Sequence, residues 1–364
     1  MSPKAKEFIT PLTVSTLCRH PIYGDDEFWQ GDTGGPLHIE LAEWADVILL
    51  APLTANTLGH LAHGLAERLM DNVILASRSP VLLAPAMNTV MWKQPVVQQN
   101  LEVLLSDSRY HMVGPYSGRL ACDVVGVGKM AEPQEIEQYL MSLLLTRGKR
   151  DLEGQHVLVT AGGTREYLDP VRFIGNPSSG KMGVAIALAA AHRGAHVTII
   201  VAPGVEVPES LPLNIQPITS AQDMEQALQD GFPKADVTFM AAAVADFKPT
   251  KYVSSKLPKS SIDSDLPLTA VPDLVQGLAK QKRMNQKLIG FAAQTGDIIA
   301  PAQEKLQRKV LDAIVANPID QIGCGFGSDR NQAVWLDRHG KQIEIPLMSK
   351  LELAHRLLDL SLEL

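Results

Sequence analysis

Residues 157–183 read VLVTAGGTREYLDPVRFIGNPSSGKMG, and this run decides the fold of everything after it. Val157, Leu158 and Val159 form a short apolar, β-branched-rich run, Gly162 and Gly163 break it, and from Ser179 the apolar residues recur at helical spacing through Ala191. A strand, a glycine loop and a helix start make an anion-binding corner, because the free N–H groups and the dipole of the first helical turn favour negative charge. Residues 175–181, GNPSSGK, satisfy GxxxxGK, the front of a P-loop. Met182 then stands where a P-loop needs Ser or Thr to hold Mg2+, and a dozen mostly polar residues separate the run from its strand. No GxGxxG lies between strand and helix, so a dinucleotide site is not indicated either.

Working outward, strands are expected at 195–201, 214–217, 237–244, 288–293 and 313–317, with helices at 221–228 and through 306–310. Alternating helices and continuous apolar strands predict an open, doubly wound parallel sheet with ligands beyond the strands' carboxyl ends. Upstream, residues 146–154, TRGKRDLEG, are charged and glycine-bearing, and they divide the chain into domains at 1–145 and 155–364 joined by this linker.

The first domain reads as a helix at 40–44, a buried strand at 46–52 ending in TANT (54–57), a helix through Ala66, and a buried strand at 80–84 ending in PAMN (85–88). Two parallel strands place both polar loops at one edge, so Asn56 and Asn88 should face one crevice; the alternative is that these Asn and Thr residues only cap the following helices. Residues 114–130 carry glycines at 114, 118, 126 and 128 around Cys122 and read as a mobile flap over a site. Cys122 is either a proton donor there or a small buried hydrophobe. A helix at 133–145 closes the domain.

Composition excludes several classes. A formal net charge of −7 argues against a nucleic-acid-coating protein. Cys18, Cys122 and Cys324 are odd in number and widely spaced, which indicates neither a disulfide framework nor a zinc site and fits a reducing cytoplasm. No apolar run reaches the roughly 20 residues of a membrane helix, and no signal peptide is evident. Lys256 and Lys259 fall in a polar, aperiodic stretch expected to be a mobile loop, whereas Lys305 and Lys309 are four apart and share a helix face. Lysine suits phosphate as a point charge, although a solvated face is the commoner role for any one of them.

Four ordered motifs, HIELAEWAD (38–46), APLTANT (51–57), APAMN (84–88) and SGRLAC (117–122), resemble the flavin-dependent phosphopantothenoylcysteine decarboxylases. The resemblance implies a flavodoxin-like parallel-sheet domain that binds FMN, with Thr54, Ala55 and Asn56 at the cofactor. It makes His38 the active-site histidine, Asn88 the group that binds the substrate carboxylate, and Cys122 the proton donor on the flap. The implied chemistry is oxidation of the substrate thiol to a thioaldehyde, loss of CO2 to an enethiolate, and reprotonation. Family members carry a strand, a loop of the type GGIAAYK, a helix and a second strand ahead of the match to residues 2–13. This leads us to expect an N-terminally incomplete domain that holds FMN poorly or not at all. Asp123 also stands where the family usually has glycine, beside Cys122, whose thiol pKa its charge would raise.

The second half resembles phosphopantothenate-cysteine ligase of the bacterial, CTP-using type, through AGGTRE (161–166), DPVR (169–172), GNPSSGKMG (175–183), AAAVADF (241–247), PDLV (272–275), GFAAQT (290–295) and IVAN (314–317). The resemblance implies a Rossmann-like ligase domain whose substrates are 4'-phosphopantothenate, cysteine and CTP, with Mg2+. It places CTP contacts at Met240, Ala241, Ala242, Asp246, Lys256, Pro272, Asp273, Leu274, Val275, Phe291, Lys305 and Lys309. Arg172 and Asn176 fall at residues tied to the acyl intermediate, and Lys256 has a catalytic role on the triphosphate. Gln294 departs from the usual GFAAET. Homo-oligomerisation is likewise implied, and neither nucleic acid nor membrane is expected as a partner.

Overall fold

The structure, a computed structural model, describes all residues except 29–34, 122, 209–212, 259–264, 322, 324 and 326. The chain forms two compact units, Met1–Lys149 and Arg150–Leu364, each described by itself.

In the first unit three parallel strands, β1 (Ile48–Leu53), β2 (Val81–Pro85) and β3 (Tyr110–Met112), lie in the order β1-β2-β3. The central strand is buried along its whole length, which is why its sequence is continuously apolar. Its alternate residues serve two faces. Val81 and Leu83 pack with Leu58, Ile74 and Leu101, while Leu82 and Ala84 pack with Ile136, Tyr139 and Leu143 of the helix Pro133–Thr146. The helix after β1 spans Ala55–Ala62 and stops short of the expected Ala66, because Gly64 takes a left-handed φ of 64° just past its end. The helices Leu69–Ala76 and Pro95–Leu105 were not anticipated from the sequence. The glycine-rich run forms an antiparallel hairpin of β4 (Tyr116–Arg119) and β5 (Val125–Lys129), so the flap has regular structure.

The second unit is built on an eight-stranded sheet. Its members are β6 (His156–Ala161), β9 (His196–Val201), β10 (Asn214–Pro217), β11 (Val237–Met240), β14 (Lys287–Gln294), β15 (Ala313–Pro318), β16 (Arg330–Asp337) and β17 (Gln342–Ser349). Two small antiparallel pairs, β7 (Arg165–Tyr167) with β8 (Phe173–Gly175) and β12 (Phe247–Pro249) with β13 (Leu268–Ala270), lie outside it. The order is β10-β9-β6-β11-β14-β15-β16-β17, parallel from β10 through β15. The last two strands run antiparallel and, with the helix Lys350–Leu362, extend the sheet beyond what sequence periodicity predicted. The direction of winding reverses between β6 and β11. That reversal places a crevice at the carboxyl ends of these two strands.

Two hydrophobic layers cover the sheet. Val157, Val159, Phe239 and Val315 face the helices Lys181–His192 and Lys350–Leu362. Leu158, Met240, Leu288 and Ile314 face the helices Ala221–Gly231, Leu274–Gln281 and Ile299–Arg308. Helix Lys181–His192 approaches the sheet closely because its inner face is small. A Cβ on Gly183 would sit 2.7 Å from Ala161 Cβ and 2.8 Å from the Thr160 carbonyl oxygen.

Candidate functional site

The crevice at the β6/β11 reversal is a cleft of about 510 Å3. Its floor depends on where β11 stops. Met240 is the last residue in the ladder, so the expected strand to Val244 is cut short. The threonine at the end of β6 explains this: Ala242 N donates to buried Thr160 Oγ1 at 3.0 Å, Ala243 N to the Gly162 carbonyl at 2.8 Å, and Ala245 N to buried Thr164 Oγ1 at 3.0 Å. These bonds interrupt the ladder at Ala241 and hold residues 242–245 beside the extension of β6, where Ala243 pairs with Gly163 in an isolated bridge along the cleft. Thr160→Val keeps the shape but removes the acceptor for Ala242 N, and should cost about 1–2 kcal/mol. The urea midpoint and hydrogen exchange at the Ala242 amide measure the effect; an unchanged exchange rate would remove Thr160 as the anchor.

Asn176 comes from the loop after β8, and its Nδ2 donates to the Val244 carbonyl at 3.2 Å. Only glycine fits at 163, since a Cβ there would lie 2.3 Å from the Asn176 carbonyl oxygen. Beside Asn176, Gly180 adopts φ 74° and starts the helix Lys181–His192 without a side-chain cap. The anion corner expected from the sequence is therefore open to the cleft through Ser178, Ser179 and Gly180.

The other sheet face supplies Lys305, whose Nζ donates to the Phe291 carbonyl at 2.8 Å, and Lys309, which pairs with Asp273 at 3.0 Å. Burial, aided by the charge on Lys309, lowers the Lys305 pKa to about 8, with Asp273 and Asp246 opposing. Burial works to raise the Asp273 carboxyl, but hydrogen bonds from Lys309 and Gln276 N and the charges of Lys309 and Lys305 hold it below the ordinary range. Asp273 also caps the helix Leu274–Gln281 through Gln276 N.

The fold thus gathers Met240, Ala241, Ala242, Asp246, Pro272, Asp273, Leu274, Val275, Phe291, Lys305, Lys309 and Asn176 around one cavity. Lys256 and Arg172 are not in its lining. Arg172 instead donates through Nε to buried Asp169 at 2.9 Å and through its terminal nitrogen to the Leu257 carbonyl at 2.8 Å, while Leu257 N donates back to Asp169. The Arg172 guanidinium holds the Asp169 carboxyl well below the usual carboxylate range. Arg172 therefore roots the segment carrying exposed Lys256 to the β7–β8 turn. Lys259 lies outside the described residues. Lys181, Asn317, Asn331 and Lys350 also line the cleft. Lys181 was visible only as the lysine of a failed P-loop, Asn317 only as the end of IVAN, and nothing in the sequence marked Asn331 or Lys350 as cleft residues.

In the first unit Thr54 and Asn88 end β1 and the loop after β2, and both cap helices. Thr54 Oγ1 accepts from Thr57 N at 3.4 Å and Asn88 Oδ1 from Val90 N at 2.8 Å. Ala55 and exposed Asn56 form the first turn of the helix Ala55–Ala62. The hairpin packs against the Asn88 loop: Met87 N donates to the Gly128 carbonyl at 3.1 Å, and a Cβ on Gly126 would come within 2.5 Å of Thr89 Oγ1. Asp123 adopts φ 61°, the left-handed conformation that glycine takes without cost and Asp tolerates, and it pairs with Arg119 at 2.9 Å. Cys122, next to it, lies outside the described residues. His38 sits on the helix Leu37–Trp44 with Phe28 edge-on to its ring at 5.5 Å. Its buried Nδ1 has no hydrogen-bond partner among the described residues.

Fold and cleft together define a two-unit α/β protein with a lysine-lined cleft at a topological switch point of its second unit. The family described as Flavoprotein matches residues 1–145, and the DNA/pantothenate metabolism flavoprotein C-terminal domain matches residues 152–364. The chain is 40% identical over 360 residues to the coenzyme A biosynthesis bifunctional protein CoaBC of Bacillus subtilis (strain 168), covering 99% of this chain and 88% of that protein. It is 37% identical over 362 residues to the protein of that name from Escherichia coli (strain K12), again covering 99% and 88%. A cysteine/cysteine sulfinic acid decarboxylase from an unknown prokaryotic organism is 40% identical over 349 residues, covering 95% of this chain and 96% of that protein. The chain belongs to the family of bifunctional coenzyme A biosynthesis flavoproteins. Among the described residues no helix is long and apolar enough to cross a membrane.

Proposed function

We propose that this chain performs two consecutive steps of coenzyme A synthesis: its second unit couples 4'-phosphopantothenate to cysteine, and its first unit decarboxylates the product. The observation that carries this reading is the single cleft in which Asn176, Lys305, Lys309 and the residue 241–246 turn converge. CTP is the energy source in this proposal. The phosphopantothenate carboxylate attacks the α-phosphate, pyrophosphate leaves, and the amine of cysteine then displaces CMP from the acyl-cytidylate. Lysines and Mg2+ offset the charge that develops on the triphosphate. The nucleotide's own phosphates would supply most of the Mg2+ ligands. Because Lys256 stands outside the cleft lining, its role requires its segment to close over the triphosphate from the Arg172–Asp169 root. For Lys256→Gln the expected result is loss of pyrophosphate release.

The first unit fits FMN on two counts. A buried His38 Nδ1 with no hydrogen-bond partner among the described residues could meet a substrate carboxylate, and the glycine hairpin laid on the Asn88 loop could cover a planar ring. Thr54, Ala55 and Asn56 would hold the cofactor at the helix start, while His38 and Asn88 position the substrate carboxylate. Cys122 returns the proton to the product. FMN, when bound, supplies the two-electron redox chemistry of the decarboxylation. Exposed Phe8, Leu12 and Leu17 near the helix Pro11–Cys18 support self-association into a homo-oligomer.

An absorbance scan of the purified protein, combined with separate assays of CO2 release and CTP-dependent coupling of cysteine, tests the proposal. A flavin band with both activities is expected, since the flavoprotein family match over residues 1–145 favours FMN binding against the weak binding expected from the sequence. Coupling without flavin or CO2 would reduce the first unit to a non-catalytic oligomerisation scaffold, and absence of CTP-dependent coupling would overturn the ligase reading.

A further inference from the structure

The cleft receives two lysine pairs, one from each face of the sheet. Lys305 and Lys309 come from the face of the helix Ile299–Arg308, and both are already engaged, with the Phe291 carbonyl and with Asp273. Lys181 and Lys350 come from the opposite face, where each stands at the first position of its helix, Lys181–His192 and Lys350–Leu362. These two helices pack against one another. Their amino ends thus bring two dipoles of the same sign beside two ammonium groups.

The compensation at this end is slight. Lys181 pairs with Asp329 at 2.6 Å and donates to the Gly327 carbonyl at 3.0 Å. The Asp329 side chain is 87% exposed, so solvent screens much of its charge. The Lys350 residue is only 8% exposed, yet its Nζ meets a neutral carbonyl, that of Ser328, and no carboxylate within ion-pair distance among the described residues. A largely buried lysine that lines the cleft and meets no carboxylate is a place that an anion would complete. Burial, reinforced by Lys181, pushes the Lys350 pKa down, with Asp329 opposing, and an arriving anion would reverse that shift.

We propose that Lys350, together with Lys181, binds the two terminal phosphates of the nucleotide and holds them as the pyrophosphate leaving group. The inference rests on the ligase reading above and deepens it by dividing the cleft. The Lys305–Lys309 face, with its two nearby carboxylates Asp246 and Asp273, is ill suited to the most highly charged part of the ligand and takes the nucleoside end. The Lys181–Lys350 face takes the β- and γ-phosphates. Holding these oxygens as the bond from the α-phosphorus to the bridging oxygen breaks stabilises the departing charge.

Calorimetric titration of the full-length protein with CTP, CMP and inorganic pyrophosphate separates the two ends. For Lys350→Gln, CTP and pyrophosphate should each bind at least about tenfold more weakly while CMP affinity stays within about twofold, and Lys350→Arg should restore most of the CTP affinity. Lys181→Gln should show the same pattern, which keeps the test decisive if Lys350→Gln fails to fold. Equal weakening of CTP and CMP would assign the lysines a structural role and overturn the inference. Unchanged CTP and pyrophosphate binding in both variants would overturn it as well. If the unsubstituted protein itself binds neither CTP nor pyrophosphate, the ligase reading falls, and this inference with it.

Discussion

Lys305→Met is expected to raise the melting temperature of the second unit at pH 7 by roughly 5 °C while weakening CTP binding at least about tenfold. The two effects share a cause. In the folded protein burial lowers the lysine from its ordinary value of 10.5 to about 8. At pH 7 it is charged in both states, so the folded state carries the whole cost of burying the ammonium. As pH rises through 8 the folded lysine loses its proton while the unfolded one keeps it, and stability increases until about 10.5, where both are neutral. Methionine fills a similar volume with no charge, so the stabilising effect of the substitution should shrink between these two values and vanish above them. Binding runs the opposite way: the unsubstituted protein should lose CTP affinity as pH passes 8, and Lys305→Met should lack that limb. Thermal unfolding and CTP titration from pH 6.5 to 10.5 measure both curves. A lowered melting temperature at pH 7 would mean that the bond to the Phe291 carbonyl outweighs the burial cost, and unchanged affinity would remove Lys305 from the site.

The second large effect concerns Asn176. Its Nδ2 faces the Val244 carbonyl at 3.2 Å at the edge of the cleft, where an N–H donor can also meet an acyl oxygen. In the proposed first half-reaction charge would develop on phosphate oxygens, which Lys181, Lys350 and Mg2+ would serve. In the proposed second, attack by the cysteine amine would place charge on the acyl oxygen, and there Asn176 would donate. Asn176→Asp replaces that donor with a carboxylate, so the acyl-cytidylate should still form while its aminolysis slows about 100- to 1,000-fold. Pyrophosphate release followed beside CMP release reads the two halves separately. Equal loss in both would make Asn176 a residue that shapes the cleft and no more.

Much of this architecture was legible because strands buried on both faces have a distinctive sequence. The runs that became β2, β6, β9 and β15 are short, apolar and bounded by turn residues, and their alternation with helices implied a parallel sheet. The limits of that signal are equally physical. Residues 237–244 are apolar throughout, so periodicity could not show that the ladder ends at Met240; the end is set by Thr160 and Thr164, which are distant in sequence. The glycines of the 114–130 run were visible, yet glycine abundance does not distinguish mobility from close approach. Gly128, whose Cβ would stand 2.1 Å from the Met87 carbonyl oxygen, serves close approach between the hairpin and the Asn88 loop. Arg172 illustrates the same limit in the site, since an arginine in a polar loop offers no clue that Asp169 and Leu257 already occupy it.

By itself the sequence determined the two-unit division, the doubly wound class, the strand, glycine loop and helix start that lead into Lys181–His192, and through Met182 the departure from a P-loop pattern. These are properties of local pattern, readable wherever chemistry is set by neighbours in the chain. Only the tertiary structure decided which lysines share one cavity, because Lys181, Lys305, Lys309 and Lys350 arrive from opposite sheet faces and their burial depends on how those faces close. It also decided that burial lowers the Lys305 pKa to about 8. Desolvation and the proximity of other charges set that value, and neither exists until the strands are in register.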